Sequence, residues 1–392
     1  MDILAGVKPE EIVVKPLRPY CDIVCDFFND WSRLMRSHPE GRRLGDVVSF
    51  AFFCRKGNLE RLREEAHIED LRMGRGLCFH IAPSNIPVNF AFSYAFGLLA
   101  GNANIVRVSS KAFSQVDIIC DTLNKLFEDD RYEAIRRMTS IVRYDHDSEI
   151  TDRLSGMCDI RLIWGGDETI AAIRRSILKP GSTEITFADR YSIAVIDGKT
   201  VRSASEEELE KLAGEFYNDT YMMDQNACSS PQMIYWIGAE KADKDRFWDA
   251  VSQTIEGYDV SEFIASEKYT MLCDDAIVQQ GVGRLKKYQN KLYVVDIPAN
   301  ADVDMLDGCH GKYGLFCEQE IDGILEILDS IDRKVQTCTY YGVDARGLAE
   351  QVLDQGVTGI DRIVPIGKAL DIGVYWDGYD LVRQMSRRIE VV

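Results

Sequence analysis

The sequence is poor in the features that staple or punctuate a chain. Its 10 prolines are scattered through 392 residues, and there is no internal repeat or low-complexity tract. Solenoids, collagen-like rods and long linkers are thereby excluded. None of the 11 cysteines forms a CxxC pair or a regular series. A disulfide framework is therefore not expected, and the thiols read as the reduced cysteines of a cytoplasmic protein. Cys21 and Cys25 stand one helical turn apart, but no second His or Cys pair exists to complete a zinc site, so burial is the ordinary expectation and no metal is expected. Basic residues are also short, with Lys+Arg 46 against Asp+Glu 64 and a formal charge of -18. Broad contact with nucleic acid or anionic lipid is disfavoured, and an anionic ligand would need a local basic pocket. Two signatures are missing as well. GRGLCF and GVGRLK each lack the third glycine of GxGxxG, which disfavours ordinary Rossmann dehydrogenases, and no GxSxG is present to mark a nucleophile elbow.

The start, MDILAGVKPEE, has Asp2 and no basic stretch ahead of a long apolar run, so no signal peptide is expected. Residues 81–106 carry no charge, yet Pro83, Asn85, Pro87 and Asn89 crowd one end and Asn102 and Asn104 the other. Only Phe90 to Ala100 is truly apolar, which predicts a buried helix and no membrane span.

Hydrophobic residues at 46% and charged residues at 28% are those of a chain that folds, and the length allows two or three domains. Residues 76–200 alternate apolar runs with helical patterns: LCFHIA, a helix from Val88 to Ala100, NIVRV, a helix from Phe113 to Phe127, then SIVRY, IRLIW and YSIAVID. This is the pattern of βαβ units around a mostly parallel sheet. Ser205 with Glu208 makes a capping box, and Leu209, Leu212, Ala213, Phe216 and Thr220 keep one helix face. Beyond it come MIYWIG, a helix from Lys244 to Ile255, the strands LYVVDI and YGLFC, a helix from Ile321 to Ile331, and QTCTYYG. The class is α/β throughout, with a boundary expected near residue 200. The tail from Gly359 predicts irregular packing that ends in a strand over RRIEVV.

Three segments could carry chemistry. Cys228, in QNACSSPQ, lies in a small, polar, turn-prone stretch between a capped helix and an apolar strand, a setting open enough for a reactive thiolate. An inert buried thiol is the competing reading. In HIAPSNIPVNF two prolines hold the backbone around Asn85, whose amide could donate to an oxyanion or simply cap the next helix. RLIWGGDETIAAIRR runs from strand through a glycine pair into a helix, an arrangement that suits a phosphate but also any tight turn.

Read in order, Asn85 in PSNIP, Arg107 in NIVRVSS, the WGGDET turn and Cys228 in QNACSSPQ resemble the functional segments of the aldehyde dehydrogenase superfamily. Within it the blocks FADRYSIAVID, YNDTYMMDQNACSSPQ and GIDRIVPIGKALDIGVYWDGYDL are similar to the acyl-CoA reductase family, whose type is the reductase subunit of the bacterial bioluminescence fatty acid reductase complex. The resemblance covers roughly residues 70–392. It implies an aldehyde dehydrogenase-like fold of two α/β domains with mostly parallel sheets, the cofactor domain lacking GxGxxG. Residues 1–200 would form an N-terminal segment and the nicotinamide-cofactor domain, 201–360 the catalytic domain, and 361–392 a segment packing back on the core.

The resemblance implies roles by position. Cys228 is the nucleophile and Asn85 the oxyanion donor. Arg107 lies beside the cofactor ribose, and Gly165 and Gly166 open the turn for the pyrophosphate. Ser110 stands where NAD-dependent members often hold a ribose-binding glutamate, and Lys111 follows it, so NADPH is the implied cofactor. The glutamate that activates water in hydrolytic members has Thr186 as its counterpart, with Glu184 two positions away, and no counterpart is found around CHGKYGLFCEQE for the carboxylate near the nicotinamide ribose. The implied activity is reduction of a fatty acyl thioester, acyl-CoA or acyl-protein, to the aldehyde with NADPH through an acyl-cysteine. The implied partners are an acylated protein, an acyl-protein synthetase subunit and further copies of the chain as a homo-oligomer. The rival readings are a cysteine acyltransferase or thioesterase with His80, His146 or His310 as base, and a non-catalytic subunit that binds the synthetase.

Overall fold

The computed structural model describes residues 1–68, 71–145, 147–278, 284–298 and 311–392. The chain divides into two compact units, Met1–Asp189 with Ile372–Val392, and Arg190–Asp371. The division thus falls at 189/190 and not at 200, because the strand YSIAVID takes its hydrogen bonds from the second sheet. The C-terminal piece that joins the first unit begins at 372 and not at 361.

In the first unit the sheet strands are β1 (Asp2–Gly6), β3 (Leu77–Ile81), β4 (Ala103–Val108), β5 (Thr139–Arg143), β6 (Ile160–Trp164) and β7 (Thr183–Phe187); β2 (Arg72–Gly74) stands outside this sheet. Their order is β1-β5-β4-β3-β6-β7, and all neighbours are parallel except β1 on β5. Buried on both faces, β3 and β6 do not alternate and are apolar except for His80 and Arg161. The chain runs outward from β3 to β4 and β5, then returns to the other side of β3 with β6. That reversal makes a switch point at the carboxyl ends of β3 and β6, where a doubly wound sheet opens a crevice.

The uncharged stretch 81–106 is the end of β3, the buried helix Asn89–Leu99 and β4. No helix among the described residues is long and apolar enough to cross a membrane. The helix Asp22–Ser37 packs Phe27, Phe28, Trp31 and Met35 into the same core, where Trp31 lies edge-on to Phe50 at 5.2 Å. Residues before 70, which carried little of the resemblance, thus supply one wall of the unit.

The second unit has β8 (Tyr191–Asp197), β9 (Pro231–Ile237), β10 (Leu285–Tyr288), β11 (Leu292–Asp296), β12 (Leu315–Ile321), β13 (Val335–Tyr341) and β14 (Arg362–Pro365) in the order β10-β11-β12-β9-β8-β13-β14. Only the β10/β11 hairpin is antiparallel. Helices Glu206–Asp219 and Lys241–Thr254 cover one face with Phe216, Phe247 and Trp248, and Leu348 and Val352 of helix Ala345–Gln355 pack on the other. The capping box forms as the sequence predicts, Ser205 and Glu208 each binding the other's backbone.

Two expectations differ. Residues 321–331 are not one helix: Ile321 pairs with Ile237 in the sheet, and only Leu325–Leu328 are helical beyond Gly323. In the tail, β15 (Tyr375–Trp376) and β16 (Tyr379–Asp380) form a hairpin, and β17 is Ser386–Arg388, paired with β2, while Glu390–Val392 stay exposed.

A buried polar chain fixes the helix Asn89–Leu99 on its sheet. Trp164 Nε1–H donates to Ser93 Oγ at 2.9 Å, and the Ser93 hydroxyl lies 2.8 Å from His80 Nδ1. His80 Nε2 is 2.9 Å from Asn104 Oδ1, whose own amide nitrogen donates to the Asn102 carbonyl at 2.7 Å. Trp can only donate and the Asn104 oxygen must accept, so His80 is neutral with its proton on Nε2. Gly97 lies against this chain, and a Cβ there would stand 2.0 Å from Asn104 Oδ1.

Burial pulls His80 down to about 4 despite the Asn104 bond. The unfolded chain takes up this proton below its ordinary value of about 6.5 and the folded one does not, so stability is full above that value and falls as pH drops toward 4. Between pH 7 and pH 5 wild type should lose about 2 kcal/mol more than His80→Gln in urea unfolding. Equal losses in the two proteins would remove His80 as the cause.

Candidate active site

The carboxyl ends of β3, β4 and β6 bring three of the candidate segments to one edge of the first sheet. Asn85 lies in the loop after β3 and is exposed. The helix that follows has Val88 at its N-cap without a side-chain bond, so Asn85 does not cap it, and among the described residues its amide has no hydrogen-bond partner. Arg107, near the end of β4, places its guanidinium over the Tyr144 ring at 5.0 Å, and its buried Nε has no hydrogen-bond acceptor. Ser110 and Lys111 follow on the surface. A cation with an orphan donor, a hydroxyl and a second cation together suit a phosphate-bearing ligand.

Gly165 and Gly166 end β6, as the sequence predicts. The Gly165 N–H already donates to the Phe187 carbonyl at 3.2 Å, and Asp167 and Glu168 occupy the first turn of the short helix Asp167–Ile173. A Cβ at Gly166 would meet nothing. The pair therefore offers open backbone more than donors.

The possible bases are otherwise engaged. Thr186 is on β7, and Glu184 on the same strand accepts from Arg161 Nε at 2.9 Å and from Arg174 Nε at 2.7 Å. Burial raises the Glu184 carboxyl, but the two arginines outweigh it and hold it below the ordinary carboxylate range. An ionised carboxylate paired to two cations is a poor proton acceptor. His80 is fully buried in the polar chain described above, which removes it as a partner for a nucleophile. His146 and His310 lie outside the described residues, as does much of the CHGKYGLFCEQE segment's start. Among the described residues no group of three or more His, Cys, Asp or Glu could hold a metal.

Cys228 belongs to the second unit. Helix Glu206–Asp219 ends at Thr220, a single tight turn Tyr221–Met223 follows, and Asp224 and Gln225 take φ of 51° and 56°. Side chains rarely adopt this left-handed backbone, and here it is over-determined. Gln225 is buried, its Nε2 donating to the carbonyls of Pro231 and Leu315, each at 3.1 Å, while its Oε1 accepts from the Gly314 N–H at 3.0 Å. The Ser230 hydroxyl donates to the Asp219 carbonyl at 2.6 Å, and the Ser192 hydroxyl to the Cys228 carbonyl at 2.7 Å. The turn is thus pinned on both sides of the thiol, which is half-buried. Cys228 Sγ accepts from Gln336 Nε2 at 3.1 Å.

Most other cysteines are in a different state. Burial pushes Cys25, Cys120, Cys158 and Cys338 up to about 12, and Cys54 and Cys78 well above the ordinary thiol value. These remain thiols at neutral pH.

Three residues around this turn escaped the sequence reading. Gln336 is on β13, Arg362 on β14, and Asp219 ends the capped helix. The buried Asp219 carboxylate accepts the N–H groups of Gly367 at 2.6 Å and Ala369 at 2.9 Å. Arg362 donates to the carbonyls of Ala369, Lys368 and Asp371 in the same loop. The blocks YNDTYMMDQNACSSPQ and GIDRIVPIGKAL, far apart in the chain, therefore meet, and their shared density of Asp, Gln and Arg amid apolar strands was the available signal.

The family model for acyl-CoA reductase (LuxC) matches residues 32–262. Long-chain acyl-protein thioester reductase 2 of Photobacterium leiognathi is 26% identical over 203 residues, which is 50% of this chain and 38% of that protein. The long-chain acyl-protein thioester reductase of Aliivibrio fischeri matches 42% of this chain and 32% of its own length, and that of Vibrio harveyi is 25% identical over 83% of this chain and 68% of its own. The chain thus spans well under half the length of the first two relatives. Among solved structures, a salicylaldehyde dehydrogenase from Pseudomonas putida G7 superposes with a TM-score of 0.62 at 13% identity, covering 93% of this chain and 84% of that one. An NADP-dependent glyceraldehyde-3-phosphate dehydrogenase from Bacillus halodurans C-125 gives 0.58 at 15% identity, covering 95% and 86%. These likenesses carry the fold, which is that of the aldehyde dehydrogenases. With more than half of its residues matched by one family model on that fold, the chain belongs to the LuxC acyl-CoA reductase family.

Proposed function

We propose that this chain reduces a fatty acyl thioester to the aldehyde with NADPH, through a covalent acyl-cysteine at Cys228. The observation that carries the reading is the setting of Cys228: a half-buried thiol in a pinned turn with an amide N–H on its sulfur, where most of the other cysteines are held as buried thiols. The Cys228 sulfur attacks the acyl carbonyl, the S–C bond forms, and the donor thiol leaves. By its match to the superfamily's oxyanion asparagine, Asn85, whose amide has no partner among the described residues, is assigned to the oxyanion. Glu184, locked between Arg161 and Arg174, does not activate water, which favours acyl transfer to hydride over hydrolysis. The relatives named acyl-protein thioester reductases favour an acylated protein beside acyl-CoA as donor. An acyl-protein synthetase as its source, and a homo-oligomer as the working form, belong to the same reading.

The residues at the first sheet's edge fit a nicotinamide dinucleotide phosphate. Arg107 keeps a buried Nε without an acceptor, and Lys111 is exposed nearby in sequence with no carboxylate between them. The cofactor, when bound, supplies the hydride that reduces the acyl-cysteine. Arg107 and Lys111 would hold its 2′-phosphate, Ser110 would leave that phosphate unopposed, and Gly166 would give its backbone close approach.

Cys228→Ala should abolish acyl labelling and all reduction while the fold stays intact, since a small-for-small change in a turn opens little cavity. Labelling at the wild-type level in the variant, read by peptide mass spectrometry, would assign the chemistry to another cysteine. Asn85→Ala should lower kcat by about 10²- to 10³-fold at unchanged stability; normal kcat would remove Asn85 from the oxyanion role. Ser110→Glu should weaken NADPH relative to NADH by roughly 10-fold in kcat/KM, about 1.4 kcal/mol, because the carboxylate repels a 2′-phosphate yet accepts from a free ribose hydroxyl. An unchanged ratio would place Ser110 away from the ribose.

A further inference from the structure

Gln336 is the buried polar side chain that the scheme above leaves without a task. It sits on β13 at 3% exposure, and its Nε2 lies 3.1 Å from Cys228 Sγ across 108 positions of sequence. Its other end is fixed as well. Thr337 Oγ1 donates to Gln336 Oε1 at 3.3 Å, which turns the N–H side of the amide to the sulfur. The backbone on either side is tied by one serine: Ser192 Oγ accepts from the Thr337 N–H at 3.1 Å and donates to the Cys228 carbonyl at 2.7 Å. The donor therefore sits on a sheet strand, and the turn that carries the sulfur is tied to the same sheet through Ser192.

A neutral thiol is a weak acceptor and a thiolate a strong one, so an N–H aimed at sulfur favours the deprotonated form. The neighbouring strand adds positive charge. Arg362 on β14 is in register with Thr337, and burial lowers its guanidinium while Asp371, Asp219 and Cys228 act in the opposite sense. Arg362 also holds three loop carbonyls, which makes it a poor choice for substitution.

We propose that Gln336 is a catalytic residue of this site: its side-chain amide donates to Cys228 Sγ and holds the sulfur as the thiolate that attacks the acyl thioester. The inference rests on the reading of Cys228 as nucleophile. The thiol proton passes to solvent, and the amide keeps its own protons. The sulfur lone pair adds to the acyl carbonyl, whose π electrons go to the oxygen; when the C=O re-forms, the bond to the donor sulfur breaks and the donor leaves as a thiolate that takes a proton from solvent.

The test needs neither acyl donor nor cofactor. Alkylation of Cys228 by iodoacetamide in the full chain is followed against pH by peptide mass spectrometry. Gln336→Met keeps the length of the side chain and removes the N–H. Its alkylation midpoint should rise by about one pH unit, with about tenfold slower alkylation at any pH below both midpoints. Gln336→Glu sets a carboxylate against the sulfur and should raise the midpoint further, and it carries the test if the methionine variant does not fold. An unchanged midpoint in a folded variant overturns the role of Gln336. The failure of the parent reading looks different: Cys228→Ala would retain reduction, whatever the alkylation profiles show.

Discussion

The buried carboxylate of Asp219 is the joint on which the second unit's site depends. It accepts two backbone N–H groups from the loop 367–369, and its own carbonyl takes the Ser230 hydroxyl from the far side of the cysteine turn. A buried carboxylate is costly unless hydrogen-bonded, and burial does raise Asp219 to about 6 against the pull of those two N–H groups. What the bonds secure is geometry. One residue at a helix end fixes, through its backbone carbonyl, the turn that carries Cys228 and, through its carboxylate, the loop that Arg362 gathers by three carbonyls. Gly367 has φ +93°, a conformation that lets its N–H point at the carboxylate.

The two units solve the same packing problem with different polar content. Each is a mostly parallel sheet covered on both faces, which accounts for the long apolar strands. In the first, a chain of neutral bonds through Trp164, Ser93, His80 and Asn104 locks helix to sheet, and the exposed edge is left with groups that have few protein partners: Asn85, Arg107, Lys111. In the second, Ser192, Gln225 and Asp219 pin a strained turn so that its thiol is held in place. In both units the committed polar groups hold the frame.

Much of this frame was legible in the chain. The apolar runs of β3, β4, β6, β8 and β9, the Ser205 capping box and the turn around Cys228 follow from local periodicity, cap chemistry and turn composition, which act over a few residues. The resemblance of the ordered segments added the family and the fold. Residues 321–331 misled because Ile324, Ile327, Leu328 and Ile331 keep helical spacing while Ile321 is claimed by the sheet.

What only the tertiary structure decided depends on strand order, which periodicity does not encode. The sequence could name Cys228, but the partner of its sulfur is 108 positions away and reaches it only because β13 lies beside β8. It could offer His80 as a base, but the fold buries the ring and engages both of its nitrogens with Ser93 and Asn104. It left Glu184 as a candidate, and two arginines that approach through the fold settled its charge. Local patterns set the elements and the residue types at their ends; long-range pairing set what each of those side chains is bonded to.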